Sequence, residues 1–221
     1  MSRLVSGGRL KIRASSGRAF RAPSIGELYY PWSGNPDLEP ERSTTHEIGL
    51  ERYVGRGRAE LSLFRSDFRD LIVYDFATQR NENVGLARAR GMELAWTGPV
   101  GRRLTLDAGY GLLDAVGRRT GDALPRRPRH RAHVAATVKP RPGLVGTLRA
   151  TWVGERQDVD ALTFEPVSAP SHLRLDLFAR GGFARYSPYL RIENLTDRGY
   201  EEADGYPAPG RRFAAGLDVR L

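Results

Sequence analysis

Residues Arg211–Leu221 read RRFAAGLDVRL. Counting back from Leu221, Val219, Leu217, Ala215 and Phe213 fall on one side, while Arg220, Asp218, Gly216, Ala214 and Arg212 fall on the other. Side chains alternate across a strand, so this stretch has one apolar face and one polar or small face. The same period of two recurs upstream. It predicts strands over Arg9–Arg18, Arg42–Tyr53, Arg58–Arg69, Val84–Thr97 and Arg102–Asp114. It predicts further strands over Arg129–Lys139, Leu144–Glu155, Ser171–Arg180 and Ala184–Asn194, about ten in all with the last. The clearest is the fifth, where Leu104, Leu106, Ala108, Tyr110 and Leu112 alternate with Thr105, Asp107, Gly109 and Gly111.

The connections decide what kind of sheet this is. Val54–Gly57, Gly98–Gly101, Pro140–Gly143 and Gly181–Gly182 are short and rich in glycine or proline, as hairpin turns require. The connections between them are long: Ala19–Glu41, Asp70–Asn83, Ala115–Pro128, Arg156–Pro170 and Leu195–Gly210. Strict short–long alternation is the habit of an antiparallel up-and-down transmembrane β-barrel, with short periplasmic turns and long extracellular loops. A soluble sandwich is expected to break that order with Greek-key crossovers. A C-terminus at the periplasmic edge puts every short turn on one side.

Composition is compatible with this reading. Mean hydropathy is negative, but only alternate residues of each strand need meet lipid. No apolar run approaches the roughly 20 residues of a membrane helix. The stretch MSRLVSGGRLKIRASS has no apolar leader core, so no export signal is read; an outer-membrane protein must be exported, which makes the chain a fragment, an engineered piece or not a membrane wall at all. There is no cysteine, hence no disulfide and no thiolate metal site. The net charge is +9. Its arginines are spread over strands and turns, which favours contacts with lipid phosphate over nucleic-acid binding.

On this pattern Trp96, Leu106, Tyr110, Trp152, Leu175, Leu177, Leu217, Val219 and Leu221 are expected to face lipid. Arg131, Arg149, Arg174, Arg180, Arg191, Asp107, Asp176 and Glu193 are expected to line the lumen. There the arginines either steer an anionic solute or pair with acids across strands. Tyr29, Tyr30, Trp32, Tyr74 and Tyr206, in connections or near their tips, are candidates to contact a ligand; packing within the loops is an equal reading for the first three. His130 and His133 stand three apart, so a strand sends them to opposite faces and they do not chelate. No catalytic nucleophile, metal site or cofactor site is read.

Several motifs carry a family resemblance. Gly17-Arg18-Ala19-Phe20-Arg21-Ala22-Pro23 is followed by Glu27-Leu28-Tyr29 and Gly34-Asn35-Pro36-Asp37-Leu38-Glu39-Pro40-Glu41. Asn83-Val84-Gly85, Arg90-Gly91-Met92-Glu93 and Leu124-Pro125-Arg126-Arg127-Pro128 come next, then Ile192-Glu193-Asn194-Leu195-Thr196-Asp197 and Gly205-Tyr206-Pro207-Ala208-Pro209-Gly210-Arg211. In this order they resemble a TonB-dependent outer-membrane receptor, with spacing similar to vitamin B12 and siderophore receptors. Leu221 stands where that family usually ends in an aromatic residue.

The resemblance implies a bacterial outer-membrane protein that takes up a scarce large solute, such as a ferric siderophore or cobalamin. Its partners would be outer-membrane lipid, lipopolysaccharide and, through a plug domain, the TonB complex. Residues 1–221 would be the C-terminal portion of its barrel, without the plug or the N-terminal strands. Two other classes compete: a small ten-stranded outer-membrane barrel enzyme using acids such as Asp158, Asp160 and Glu165, and a soluble adhesive or structural β domain.

Overall fold

The computed structural model describes residues 2–5, 9–75, 78–83, 85–118, 121–160, 162–163 and 165–220. Val84 and Leu221, both used in the strand reading, lie outside them. One antiparallel sheet of eleven strands forms the body. Its members in spatial order are β1 (Ser2–Val5), β2 (Leu10–Arg21), β3 (Glu41–Val54), β4 (Gly57–Arg69), β7 (Leu86–Val100) and β8 (Leu104–Gly117). They continue with β9 (His130–Arg141), β10 (Leu144–Val153), β13 (His172–Gly181), β14 (Tyr186–Glu193) and β17 (Arg212–Val219). Chain order and sheet order agree throughout, with no crossover, so a Greek-key sandwich is excluded. The remaining strands are three hairpins carried by long connections: β5 (Ile72–Asp75) with β6 (Arg80–Asn83), β11 (Arg156–Val159) with β12 (Pro166–Ala169), and β15 (Glu201–Ala203) with β16 (Tyr206–Pro207).

Register keeps the two faces separate across strands. Leu61, Leu94, Tyr110, Ala132, Trp152 and Leu173 are successive cross-strand partners. A second row runs Leu106, Ala136, Leu148, Leu177, Ile192 and Phe213. The opposite face carries Asp107, Ala135, Arg149 and Asp176 in one row and Gly109, His133, Thr151 and Arg174 in the next. A slip of one residue would exchange the faces of a whole strand, so these rows fix the register strongly. The apolar face has no layer packed on it: Ile48 is 55% exposed, and Leu63, Leu94, Leu148 and Leu217 are exposed as well.

The about ten expected strands are present, one more is added, and two expected boundaries are corrected. Ser2–Val5 adds an eleventh strand. The strand expected to turn at Gly98 continues to Val100, and residues 101–103 make the turn, with Gly101 at φ 75°. Beyond Thr97 that strand has only β8 beside it, an edge position that tolerates Pro99. The connection expected from Ala19 begins only after Arg21, because residues 19–21 still pair with β3. That connection also contains a short helix, α1 (Ile25–Tyr29), started by Ser24, whose hydroxyl accepts from the Glu27 amide.

Candidate functional site

The polar face bears a depression of about 550 Å³. Its polar lining comprises Glu93, Arg131, His133, Thr151, His172 and Arg174, with Tyr200 and Glu202 reaching over from the last long connection. The floor is glycine. A methyl at Gly109 would stand 2.3 Å from His133 Cε1, so the imidazole packs closely over that backbone. Gly111 has open space where a side chain would be, beside its cross-strand partner Arg131. His133 Nε2 lies 3.2 Å from Asp107 Oδ1, and the Thr97 hydroxyl donates to Asp107 Oδ2 at 2.7 Å. His172 stacks on Tyr200 at 4.2 Å between ring centroids.

The acids expected to pair with the polar-face arginines do so both along and across strands, and Glu193 also takes Arg212, its direct cross-strand partner. Arg174 Nε donates to Asp176 at 3.1 Å, and Arg191 pairs with Glu193, each two residues away on its own strand. Arg180 reaches Asp218 of β17 at 2.7 Å. Arg131 and Arg149 make no ion pair among the described residues, and Arg149 lies in the same cross-strand row as Asp107 and Asp176. The histidines behave as spacing dictates: His130 bonds the Tyr110 hydroxyl at 2.7 Å on the apolar face, away from His133. Among the described residues no group of three or more potential metal ligands converges.

Above the strands, two loop assemblies hold the candidate aromatics. In the first, Arg21 forks between Glu27 and Glu41, with its nearest nitrogens at 3.0 and 2.7 Å. The Arg21 guanidinium, helped by the Ser24 amide and hydroxyl, holds the Glu27 carboxyl down at about 2 despite partial burial. Asn35 Nδ2 donates to the Asn81 carbonyl at 2.8 Å, and Asn81 Nδ2 donates to that of Ser33 at 3.0 Å. Asn83 Nδ2 donates to the Glu39 carbonyl at 3.0 Å, so the β5–β6 hairpin clamps the α1 connection along its length. Tyr29, Tyr30 and Trp32 project from this clamped loop, Trp32 with 92% of its surface exposed and φ at 90°. Tyr74 belongs to the clamping hairpin and is more covered.

The second assembly holds Tyr206, exposed on β16. Its hub is Asp158, only 1% exposed. Asp158 accepts from Arg126 Nε at 2.8 Å and from the Val159 and Asp204 amides at 2.8 and 3.0 Å. Burial alone would raise this carboxyl; these donors outweigh it and leave it lowered. Arg156 Nη2 donates to the Glu201 and Glu202 carbonyls at 2.6 and 2.9 Å. Asp160 accepts from the Leu162 and Thr163 amides. Two of the acids proposed for an enzymatic barrel are thus consumed in holding loops. Neither hub was legible in sequence, because partners such as Arg126 and Asp204 lie 32 and 46 residues from Asp158.

The family described as "TonB dependent receptor-like, beta-barrel" matches residues 8–195. The chain belongs to the TonB-dependent receptor β-barrel family. This is a family of receptors and transporters rather than enzymes. Solved receptors and transporters share the fold. The ferric-catecholate import receptor Fiu from E. coli K12 superposes with a TM-score of 0.78 at 18% identity, over 99% of this chain and 34% of Fiu. The copper transporter OprC gives 0.85 at 20% identity, over 99% of this chain and 38% of OprC. The siderophore receptor PirA from Acinetobacter baumannii gives 0.78 at 18%, over 96% and 39%. The chain therefore spans between a third and two fifths of the length of these receptors.

Proposed function

We propose that this chain is the C-terminal part of the wall of an outer-membrane TonB-dependent receptor that imports a scarce large solute, with a ferric siderophore the favoured class and cobalamin the second. The observation that carries the reading is the two-faced sheet. One face is an unpacked apolar surface; the other holds charges and a glycine-floored depression, under long connections that carry exposed aromatics. In this reading Trp96, Leu106, Tyr110, Trp152, Leu175, Leu177, Leu217 and Val219 meet lipid. Arg131, Arg149, Arg174, Arg180, Arg191, Asp107, Asp176 and Glu193 meet the lumen. Tyr29, Tyr30, Trp32, Tyr74 and Tyr206 stand at the extracellular mouth.

The siderophore preference draws support from the family and from solved neighbours named as siderophore or ferric-catecholate receptors, while OprC is named as a copper transporter. The open position at Gly111 beside Arg131 suits an anionic iron chelate. Barrels of this kind have 22 strands and a plugged lumen, so the eleven strands here would supply about half the wall. Energy coupling through TonB would belong to the plug, and the short turns with the C-terminus would lie on the periplasmic side.

The test is uptake by iron-starved cells with and without the full-length gene. Accumulation of a radiolabelled ferric siderophore that requires both this gene and TonB is the expected result. Unchanged uptake across a panel of siderophores and cobalamin in the deletion strain would refute it.

A further inference from the structure

The apolar face does not stay apolar to the ends of its strands. Following the same parity toward the long connections, β4 passes from Leu63 to Arg65, Asp67 and Arg69, and β7 passes from Met92 to Arg90 and Arg88. On β2 and β3 the equivalent positions are Arg18 and Arg42. The first arginines sit one step beyond the apolar band, about 7 Å along the strand. At the short-turn end of β2, β3, β4, β7 and β8, only Arg52 is charged on this face.

Register makes this patch costly as it stands. Arg65 is the direct cross-strand partner of Arg90, and Arg42 is the direct partner of Arg69. Like charges placed opposite each other destabilise a sheet. The carboxylates at hand are two. Asp67 takes Arg65 at 2.8 Å, Arg88 at 3.2 Å and Arg118 at 3.9 Å; Asp114 takes Arg90 at 2.8 Å. Seven arginines thus face two aspartates, and Arg18, Arg42 and Arg69 have no ion pair among the described residues. A groove of about 760 Å³ opens among Arg18, Arg42, Arg65, Arg69 and Arg118, with Phe20 and Leu86 in its lining.

We infer that this patch docks the phosphorylated head group of an acylated glycolipid of the outer leaflet. The inference rests on the wall reading above and locates one lipid site on it. Guanidinium forks suit phosphate oxygens, several to one phosphate. The apolar band that begins directly beneath, at Leu63 and Met92, suits the acyl chains of the same molecule. A soluble acidic protein would meet the charges but not the band, and a free anion would gain nothing from the band.

The experiment uses the full-length receptor, purified from its own outer membrane and reconstituted into two kinds of vesicle. One contains phosphorylated lipid A; the other contains the same glycolipid with its phosphates removed. Inorganic phosphate is added in a third arm. Phosphorylated vesicles are expected to raise the unfolding midpoint, and phosphorylated glycolipid is expected to co-purify by mass spectrometry.

The combined variant R42Q/R65Q/R69Q/R90Q should retain at least tenfold less glycolipid and lose the difference between vesicles. Arg52→Gln should behave as the parent. If the fourfold variant does not fold, the pair R42Q/R69Q carries the same expectation with a smaller loss. Equal retention by parent and variant, equal midpoints in both vesicles, or full stabilisation by inorganic phosphate would each overturn the lipid site while leaving solute uptake intact. A protein that enters neither vesicle overturns the wall reading, and this inference with it.

Discussion

Arg126 Nε and Asp158 Oδ1 lie 2.8 Å apart and join two long connections that the sequence separates by 32 residues. The second carboxyl oxygen takes the Asp204 amide, so a third connection closes on the same side chain. Replacing Asp158 by Ala strands the Val159 and Asp204 amides in a dry position. Each orphaned donor costs about 1–3 kcal/mol, and both costs fall on loops rather than on the sheet. Asp158→Ala should therefore expose the segment 200–206 to proteolysis and fast hydrogen exchange while leaving heat-modifiable mobility of the barrel unchanged. Asp158→Asn, which keeps one acceptor, should show a smaller effect.

Glu27 supplies a pH dependence with a definite sign. Its folded value is about 2 against an ordinary 4.5. A depressed carboxyl contributes stability that is complete above the unfolded value and is lost as the pH falls through the folded one. The α1 connection should stay closed at pH 5, loosen progressively below about 4.5 and be released near 2. Hydrogen exchange of the amides in residues 24–30 reads this directly. Arg21→Gln removes the main cause of the shift, so release should move up toward pH 4.5. An unchanged profile in that variant would exclude the Arg21 fork as the cause.

Strands were legible because a period of two survives any loop length, and the apolar rows at Leu106 or Leu177 needed nothing else. Ends were less legible. Pro99 looked like a turn residue until the sheet showed it beyond the reach of β4. The helix at Ile25–Tyr29 is too short to carry a period, and only its Ser24–Glu27 spacing signals it. The polar-face acids could be assigned to a face but not to partners, since Asp176 takes an arginine two residues away instead of one across the sheet. The arginines of the apolar face read in sequence as scattered, because register alone brings Arg42 to Arg69 and Arg65 to Arg90.

Two glycines of the polar face should respond oppositely to the same change. A methyl on Gly91 would come within 2.4 Å of the Leu112 carbonyl oxygen and 2.7 Å of Phe64 Cζ, and the first of these is backbone. A methyl on Gly111 meets nothing within 4 Å. Gly-to-Ala changes at unstrained positions stabilise by about 0.4–1 kcal/mol through the unfolded chain. Gly111→Ala should thus raise the unfolding midpoint slightly, whereas Gly91→Ala should lower it by pushing β7 from β8. Parallel thermal unfolding in one detergent decides the comparison; equal midpoints would mean that the Phe64 ring and the strand yield without cost.

Trp32 separates strain from contact. A bulky residue at φ 90° sits in a sparsely populated region, at a cost of about 1–3 kcal/mol, and glycine relieves it. Its indole is almost wholly exposed, so removing it forfeits little packing. Trp32→Gly should therefore leave the clamped α1 connection at least as protected from exchange as in the parent. If the indole contacts solute at the mouth, the same variant should bind the imported chelate at least tenfold more weakly, because an aromatic face is lost and the loop tip becomes freer. Trp32→Phe keeps a ring and should recover most of the affinity without relieving the backbone. Equal solute affinity in all three proteins would remove Trp32 from the ligand-contacting set, and the exchange data would still report whether the backbone at residue 32 is strained.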